Sequence, residues 1–259
     1  MDILETIIAD KRRELLQVKQ KTSTDKLERE PMFRRPTISL RDGLAGSSRG
    51  GIIAEFKRKS PSRGIINENA DPVKISKGYV QAGATGLSVL TDTRYFGGSR
   101  EDLVRVREAN QHPILRKDFM IDEYQVLEAR AWGADVILLI AAVLEKDMVR
   151  RLSEVAHSLG LEVLLEIHEE SDLEVLTDNI DMVGVNNRDL KRMHTDVNTS
   201  LLLSEKIPAD LIKISESGIS DPGTILTLKE YGYRGFLIGE YFMQHPDPSN
   251  ACRELIEGL

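Results

Sequence analysis

The chain has 259 residues, 41% hydrophobic and 30% charged, which is typical of a globular protein with one large core or two small ones. Its net charge of -7 excludes a generally basic surface for nucleic acid or anionic membranes, although a local basic pocket for a small anion stays open. The single cysteine, Cys252, excludes internal disulfides and cysteine-rich metal sites, and it indicates a packing role in a reducing compartment.

The first residues, MDILETIIADKRRELL, predict an amphipathic helix. Its charged residues 11–14 are expected to cover the rest of the helix, because the apolar residues fall mostly on one face, namely Ile3, Leu4, Ile7, Ile8, Leu15 and Val18. Acids and bases throughout this segment exclude a signal peptide. No run approaches the roughly 18 apolar residues of a membrane span, so a cytoplasmic protein is predicted.

A polar stretch follows this helix and is interrupted by Pro31 and Pro36. Residues 1–47 are therefore predicted to form an N-terminal helical extension that covers the main domain, residues 48–259. A helix that binds a partner protein is the alternative for this extension.

Beyond Gly50, eight apolar runs alternate with longer segments of helical pattern: GIIAEFK, GLSVLT, PILRKDF, DVILLIA, LEVLLEI, MVGVNN, LIKISE and GFLIG. Each repeat is long enough for one strand, one helix and two loops, which predicts βα units and an all-parallel sheet. Helix starts in DPVKIS and SDPGTI and helix ends in AGA and WGA support these boundaries. Eight units favour an α/β fold of the closed (β/α)8 type, the TIM barrel, over a six-stranded doubly wound sheet.

The chain has no glycine-rich dinucleotide motif and no P-loop, and no two of its five histidines stand four residues apart. These observations predict neither a cofactor nor a metal.

Polar residues end most of the apolar runs, where a parallel barrel has its active site. Glu55 and Lys57 share one face of the first strand, whereas Phe56 is expected to face the helices. Each residue alone fits a solvated strand end. Together the charged ones predict one cavity with paired charges, suited to general acid-base chemistry, built from Glu55, Lys57, Lys117, Glu166, Arg188 and Glu216. Asn186 and Asn187 also end one of the runs.

Glycines in the segments SESGISDP and LIGEYF suit a phosphate, because Gly218 and Gly239 let backbone N–H groups approach an anion. The segment GEYFM is predicted to begin the short helix of a barrel phosphate site. Glu240 would repel a phosphate, so only its backbone N–H is expected to help, with the side chain pointing away.

Five stretches, in this order, resemble the indole-3-glycerol phosphate synthase family: IIAEFKRKSPSRG, LSVLTDTRYFGGS, PILRKDFMIDEYQVLEARAWGADVILLI, VGVNNRDL and SESGI. The similarity covers nearly the whole chain. It implies a cofactor-free carboxy-lyase of tryptophan biosynthesis, which closes the pyrrole ring of 1-(2-carboxyphenylamino)-1-deoxyribulose 5-phosphate with loss of CO2 and water. It also implies a small phosphosugar as the binding partner of a monomer, with weak association with other enzymes of the pathway left open.

The resemblance implies acid-base roles for four residues. Lys117 is the expected general acid, and Glu166 is the expected base of the later steps. Lys57 is expected to hold the aromatic carboxylate, with a share in proton transfer left open. Glu55 is expected to orient the two lysines.

The resemblance also implies the binding residues. Asn186 and Glu216 are expected to bind sugar hydroxyls, and Arg188 to brace the site. Phe96 and Phe119 are expected to sandwich the aromatic ring, with a core role as the alternative. The phosphate is expected at Ser60, Ser217, Gly218, Gly239 and Glu240.

The chain departs from the family at GEYFM, where Tyr241 and Phe242 replace a small residue and leucine. These bulky side chains either change the phosphate loop or pack beneath it. Two other functions stay open: a phosphosugar aldolase with a Schiff base at Lys117 or Lys57, and a non-catalytic barrel that binds a phosphorylated ligand or a partner protein.

Overall fold

The computed structural model describes residues 3–47, 50–189 and 194–259, and its centre is a closed barrel of parallel strands. The eight strands are β1 Ile52–Phe56, β2 Gly86–Leu90, β3 Ile114–Lys117, β4 Val136–Ile140, β5 Glu162–Ile167, β6 Met182–Asn186, β7 Ile212–Glu216 and β8 Tyr233–Ile238. Each strand pairs in parallel with the next, and β8 pairs with β1, so the barrel has no open edge. The predicted fold class and strands are confirmed.

Helices precede the first strand and follow the later ones. They are α1 Ile3–Lys21, α2 Thr24–Glu28, α3 Leu40–Ala45, α4 Pro72–Ala82, α5 Thr93–Phe96, α6 Arg100–Ala109, α7 Glu123–Trp132, α8 Lys146–Ser158, α9 Asn198–Leu203, α10 Pro222–Glu230, α11 Glu240–Met243 and α12 Pro248–Glu257. Two short 3-10 helices span Pro31–Arg34 and Glu170–Val175, and Lys59–Ser60 pairs with Gly64–Ile65 in a hairpin after β1. None of the described helices is long and apolar enough to cross a membrane.

The predicted helix boundaries follow from local chemistry. Asp71 caps α4 by accepting a hydrogen bond from the backbone N–H of Lys74, and Pro72 is the first helical residue. Gly83 ends the helix in the left-handed conformation, with φ of 102°. The predicted start and end of this helix are confirmed.

Side chains alternate between two parts of the core. Ile53 and Leu115 belong to the cluster inside the barrel, whereas Phe56 belongs to the cluster between the strands and the helices. The alternation therefore turns Glu55 and Lys57 to the inside, as the pattern of the first strand predicts.

The N-terminal helices contact both ends of the barrel. Ile7 of α1 lines the cavity at the carboxyl ends of the strands. At the other end, Leu40 and Leu44 of α3 are buried in the inner cluster, and Glu162 at the start of β5 accepts the backbone N–H of Leu40 at 2.9 Å. The division into residues 1–47 and 48–259 stays a prediction, since its boundary falls at residues 48 and 49, outside the described residues.

Lys11 differs from the prediction for the charged face of α1. Its side chain is only 3% exposed, and its Nζ lies 3.2 Å from Asp92 and 3.1 Å from Asp118. Burial alone would lower the pKa of Lys11, but the carboxylates of Asp118, Asp92 and Glu14 outweigh burial and raise it. The apolar pattern shows one buried face of α1, whereas the loops after β2 and β3 bury a second.

Candidate functional site

A cavity of about 430 Å³ opens at the carboxyl ends of the barrel strands. Its walls come from strand ends, the hairpin after β1, the loops after β6, β7 and β8, and α1. Fourteen residues of the predicted site line this cavity: Glu55, Lys57, Ser60, Phe96, Lys117, Phe119, Glu166, Asn186, Arg188, Glu216, Ser217, Gly218, Gly239 and Glu240. Asn187 lies behind them, buried against Ser215 and Ser200.

Lys117 lies between two carboxylates at the end of β3. Its Nζ donates to Oε2 of Glu166 at 3.1 Å and to Oε2 of Glu216. Burial alone would lower the pKa of Lys117, but Glu216, Glu166 and Glu55 outweigh burial and raise it. The ammonium therefore stays protonated at the centre of the cavity.

The two carboxylates differ in their pKa. Burial, opposed by Lys117 and reinforced by Glu166, raises the pKa of Glu216 to about 7. Burial also acts on Glu166, but Lys117, His168 and Asn186 outweigh it and lower its pKa. Adjacent groups whose pKa values are pushed apart suit acid-base catalysis.

Glu216 has a free acceptor inside the site. Its Oε1 is buried and has no hydrogen-bond partner among the described residues. Gly184 on β6 makes room for this oxygen, because a Cβ at that position would lie 2.3 Å from it. An unpaired buried acceptor of this kind calls for a partner, which a ligand hydroxyl can supply only if the carboxylate turns toward the cavity.

Glu55 and Lys57 form a second pair, at the end of β1. Oε1 of Glu55 lies 2.9 Å from the Lys57 Nζ, and Ser88 donates to Oε2 at 3.2 Å. A Cβ at Gly239 would lie 2.5 Å from Oε1 of Glu55, so this glycine also makes room for the carboxylate. Glu55 thus contacts Lys57 directly, whereas Lys117 contacts Glu166 and Glu216.

The loop after β7 has an uncommon backbone. Ser217 has a positive φ of 68°, and Gly218 follows with φ of 77°. Asn187 holds the loop by donating to the carbonyl oxygen of Ser217 at 3.0 Å. Strain of this kind at a non-glycine residue is typical of a functional site.

The segment GEYFM forms α11, as predicted. Phe242 is fully buried, with its ring 5.6 Å from that of Tyr79, so it packs beneath the loop. Tyr241 instead lines the cavity. The two bulky residues therefore have different environments.

The prediction that the Glu240 side chain points away from the site is wrong. Its carboxylate accepts from Nε of Arg63 at 2.9 Å and from Arg188 at 3.1 Å, and both arginines line the cavity. Burial raises the pKa of Glu240, but the two arginines outweigh burial and lower it. Arg188 also donates to Ser62 at 2.7 Å and to Thr195 at 3.1 Å, so it connects three loops.

Phe96 and Phe119 contact each other across the cavity. Their ring centroids are 6.0 Å apart and their planes are tilted by 41°. This is the separation of a directly packed aromatic pair, so a third ring does not fit between them in this arrangement. The expected sandwich is therefore absent between these two described residues, although both rings line the cavity.

Several lining residues carried no signal strong enough to select them from the sequence. Arg63 and Thr195 stand in polar loops, where charge and hydroxyl groups are ordinary. Gly184 does carry a signal, because a glycine inside an apolar strand often marks a close approach. Ser88, a hydroxyl within an apolar run, is a second such signal.

Comparisons with known proteins identify the family of the chain. Residues 4–255 match the family model described as indole-3-glycerol phosphate synthase. Relatives of that name from Bacteroides thetaiotaomicron and Burkholderia vietnamiensis are 47% and 41% identical. The alignments cover 100% of this chain and 99% of the first relative, and 98% of both chains for the second.

The solved structure of tryptophan synthase subunit alpha from Legionella pneumophila aligns with a TM-score of 0.61 at 15% identity. This alignment covers 85% of this chain and 94% of the other. At that identity the likeness shows the fold alone.

Proposed function

Because the chain belongs to the indole-3-glycerol phosphate synthase family, we propose that Lys117 and Glu166 carry out its ring closure by general acid-base catalysis. The family reaction is a carboxy-lyase step of tryptophan biosynthesis. It converts 1-(2-carboxyphenylamino)-1-deoxyribulose 5-phosphate to indole-3-glycerol phosphate, with loss of CO2 and water.

Ring closure needs an acid at the ketone oxygen of the sugar chain. As the aromatic carbon attacks, negative charge develops on this oxygen, and an ammonium held in place stabilises it. The observation that carries the proposal is the Lys117 ammonium, which lies between Glu166 and Glu216 in the cavity. Loss of CO2 then restores the aromatic ring.

Dehydration needs an acid for the leaving oxygen and a base for a proton. Glu166 suits the base, because its lowered pKa keeps it ionised near neutral pH. We assign the sugar hydroxyls to Glu216 and Asn186, which both line the cavity, and Asn186 donates to Glu166 at 3.2 Å.

The two ends of the substrate are anions. We assign the aromatic carboxylate to Lys57, whose charge is held in place by Glu55. We assign the phosphate to Ser60, Ser217 and the backbone at Gly218, Gly239 and Glu240, all of which line the cavity. Ser217 and Gly218 have positive φ values, a backbone conformation that suits anion binding, and the Glu240 carboxylate is paired with Arg63 and Arg188. Either phenylalanine, Phe96 or Phe119, offers one face to the aromatic ring.

The raised pKa of Lys117 disfavours a Schiff base at this residue, because a Schiff base begins with a neutral amine, and the aldolase alternative with Lys57 stays open. We further propose that the enzyme acts as a cytoplasmic monomer without cofactor or metal. Weak association with other enzymes of the pathway stays open.

Borohydride trapping tests acid-base catalysis against a Schiff base. The enzyme turns over substrate in the presence of borohydride, and the intact mass of the protein is then measured. The proposal expects product and an unmodified chain. A reduced adduct at Lys117 or Lys57 would replace it with the Schiff-base mechanism.

A further inference from the structure

His168 is a half-buried histidine that the mechanism above does not use. It follows β5 directly, two residues beyond Glu166, and its side chain is 15% exposed. Both ring nitrogens are buried, and neither has a hydrogen-bond partner among the described residues. Leaving buried polar atoms unpaired costs free energy, so this arrangement calls for a role.

The imidazole lies between two carboxylates. Its Nε2 is 3.5 Å from Oε1 of Glu166, and its Nδ1 is 3.9 Å from Oδ2 of Asp172. Asp172 is fixed in place, since the same oxygen accepts the backbone N–H of His168 at 2.7 Å and of Glu169 at 3.2 Å. The ring therefore has a rigid acceptor on one side and the Glu166 carboxylate on the other.

The Glu166 carboxylate has two hydrogen-bond donors besides its contact with the imidazole. Oε2 accepts from Lys117 at 3.1 Å, and Oε1 accepts from Asn186 at 3.2 Å. The cavity lining in the described part of the chain includes Glu166 but not His168, so the imidazole contacts the carboxylate without lining the cavity itself. A shift of about 0.5 Å would bring Nε2 into hydrogen-bond range of Oε1, and such bonds often tighten when substrate binds.

We propose that His168 is a positioning residue for Glu166. The imidazole donates its Nε2–H to Oε1 of Glu166 and holds the carboxylate toward the substrate. This inference rests on the proposed role of Glu166 as the base. The titratable groups that face Glu166 are Lys117 from β3, Glu216 from β7 and His168 itself, and those that face the imidazole are Glu166 and Asp172. His168 also lowers the pKa of Glu166 through its charge, and a hydrogen bond to the ionised carboxylate would act in the same direction.

Two substitutions at His168 distinguish a hydrogen-bonding role of its side chain from a space-filling role. His168→Leu removes the donor, and kcat is expected to fall about tenfold, the loss of one hydrogen bond to a charged group, with KM within about twofold. The acidic limb of the pH profile of kcat is expected to move to higher pH, because Glu166 loses a group that favours its charged form. His168→Gln keeps an N–H group near the Nε2 position. Its kcat and the acidic limb of its pH profile are expected to match those of the wild type.

Control variants identify which idea fails. His157→Leu removes a surface histidine paired with Asp181, away from the cavity, and is expected to leave kcat and the profile unchanged. If His168→Leu leaves the acidic limb in place, or if the Gln variant loses as much activity as the Leu variant, the positioning role is overturned. If Glu166→Gln keeps wild-type turnover, the base assignment fails, and this inference fails with it.

Discussion

Gly184→Ala is expected to disrupt the site from inside the barrel. The added methyl group would lie 2.3 Å from Oε1 of Glu216 and 3.2 Å from Cδ1 of Leu164. Ordinary contact begins near 3.5 Å, so the Glu216 carboxylate must move by about 1 Å. Displacement of this size costs up to about 100-fold in rate, because the contact between Glu216 and Lys117 is lost or reoriented.

The assay for this variant measures kcat and KM from indole fluorescence, and urea unfolding measures stability. We expect kcat to fall about 10- to 100-fold and the free energy of unfolding to fall by about 1–3 kcal/mol, the usual cost of overpacking. Gly223→Ala in α10 is the matched control, since its methyl group would meet only the Asp221 side chain, at 3.2 Å. Wild-type kcat and KM for Gly184→Ala would refute the reasoning.

Three further predictions follow from the charges of the site and of α1. Lys117→Ala is expected to lower kcat about 100-fold or more with the fold intact by circular dichroism, and a variant within about tenfold of wild type would remove Lys117 as the acid. Glu216 has a raised pKa in the folded state, so the stability it contributes is full below about pH 4.3 and is lost as pH rises through about 7. The unfolding free energy of Glu216→Gln minus that of the wild type, measured in urea, is therefore expected to rise from about pH 5 to about pH 8. A difference that does not change with pH would contradict the raised pKa of Glu216. Lys11→Met leaves Asp92 and Asp118 without their shared cation and is expected to cost about 3 kcal/mol of unfolding free energy, whereas exposed Arg12→Met is expected to cost little.

The strands and the helix boundaries could be predicted from the sequence because their causes are local. Strands buried on both faces appear as short apolar runs, and the caps at Asp71 and Gly83 act within a few residues. The cavity could be predicted because polar groups that follow parallel strands converge at one end of the barrel. This is why Glu55, Lys117 and Glu166 were foreseeable as neighbours.

The features that could not be predicted depend on contacts between distant segments. Lys11 is buried because α1 packs against two loops that lie far away in the sequence. Glu240 turns into the cavity because Arg63 and Arg188 reach it from the loops after β1 and β6. The contact of Phe96 with Phe119 likewise depends on where two loops end in space.

We propose that this cavity closes the indole ring without a cofactor or a metal. The measurement that tests it most directly is turnover of 1-(2-carboxyphenylamino)-1-deoxyribulose 5-phosphate by the purified protein in excess chelator, followed by indole fluorescence. A steady rise in fluorescence that the chelator does not change is expected. No product from folded protein, or activity that depends on added metal, would contradict it.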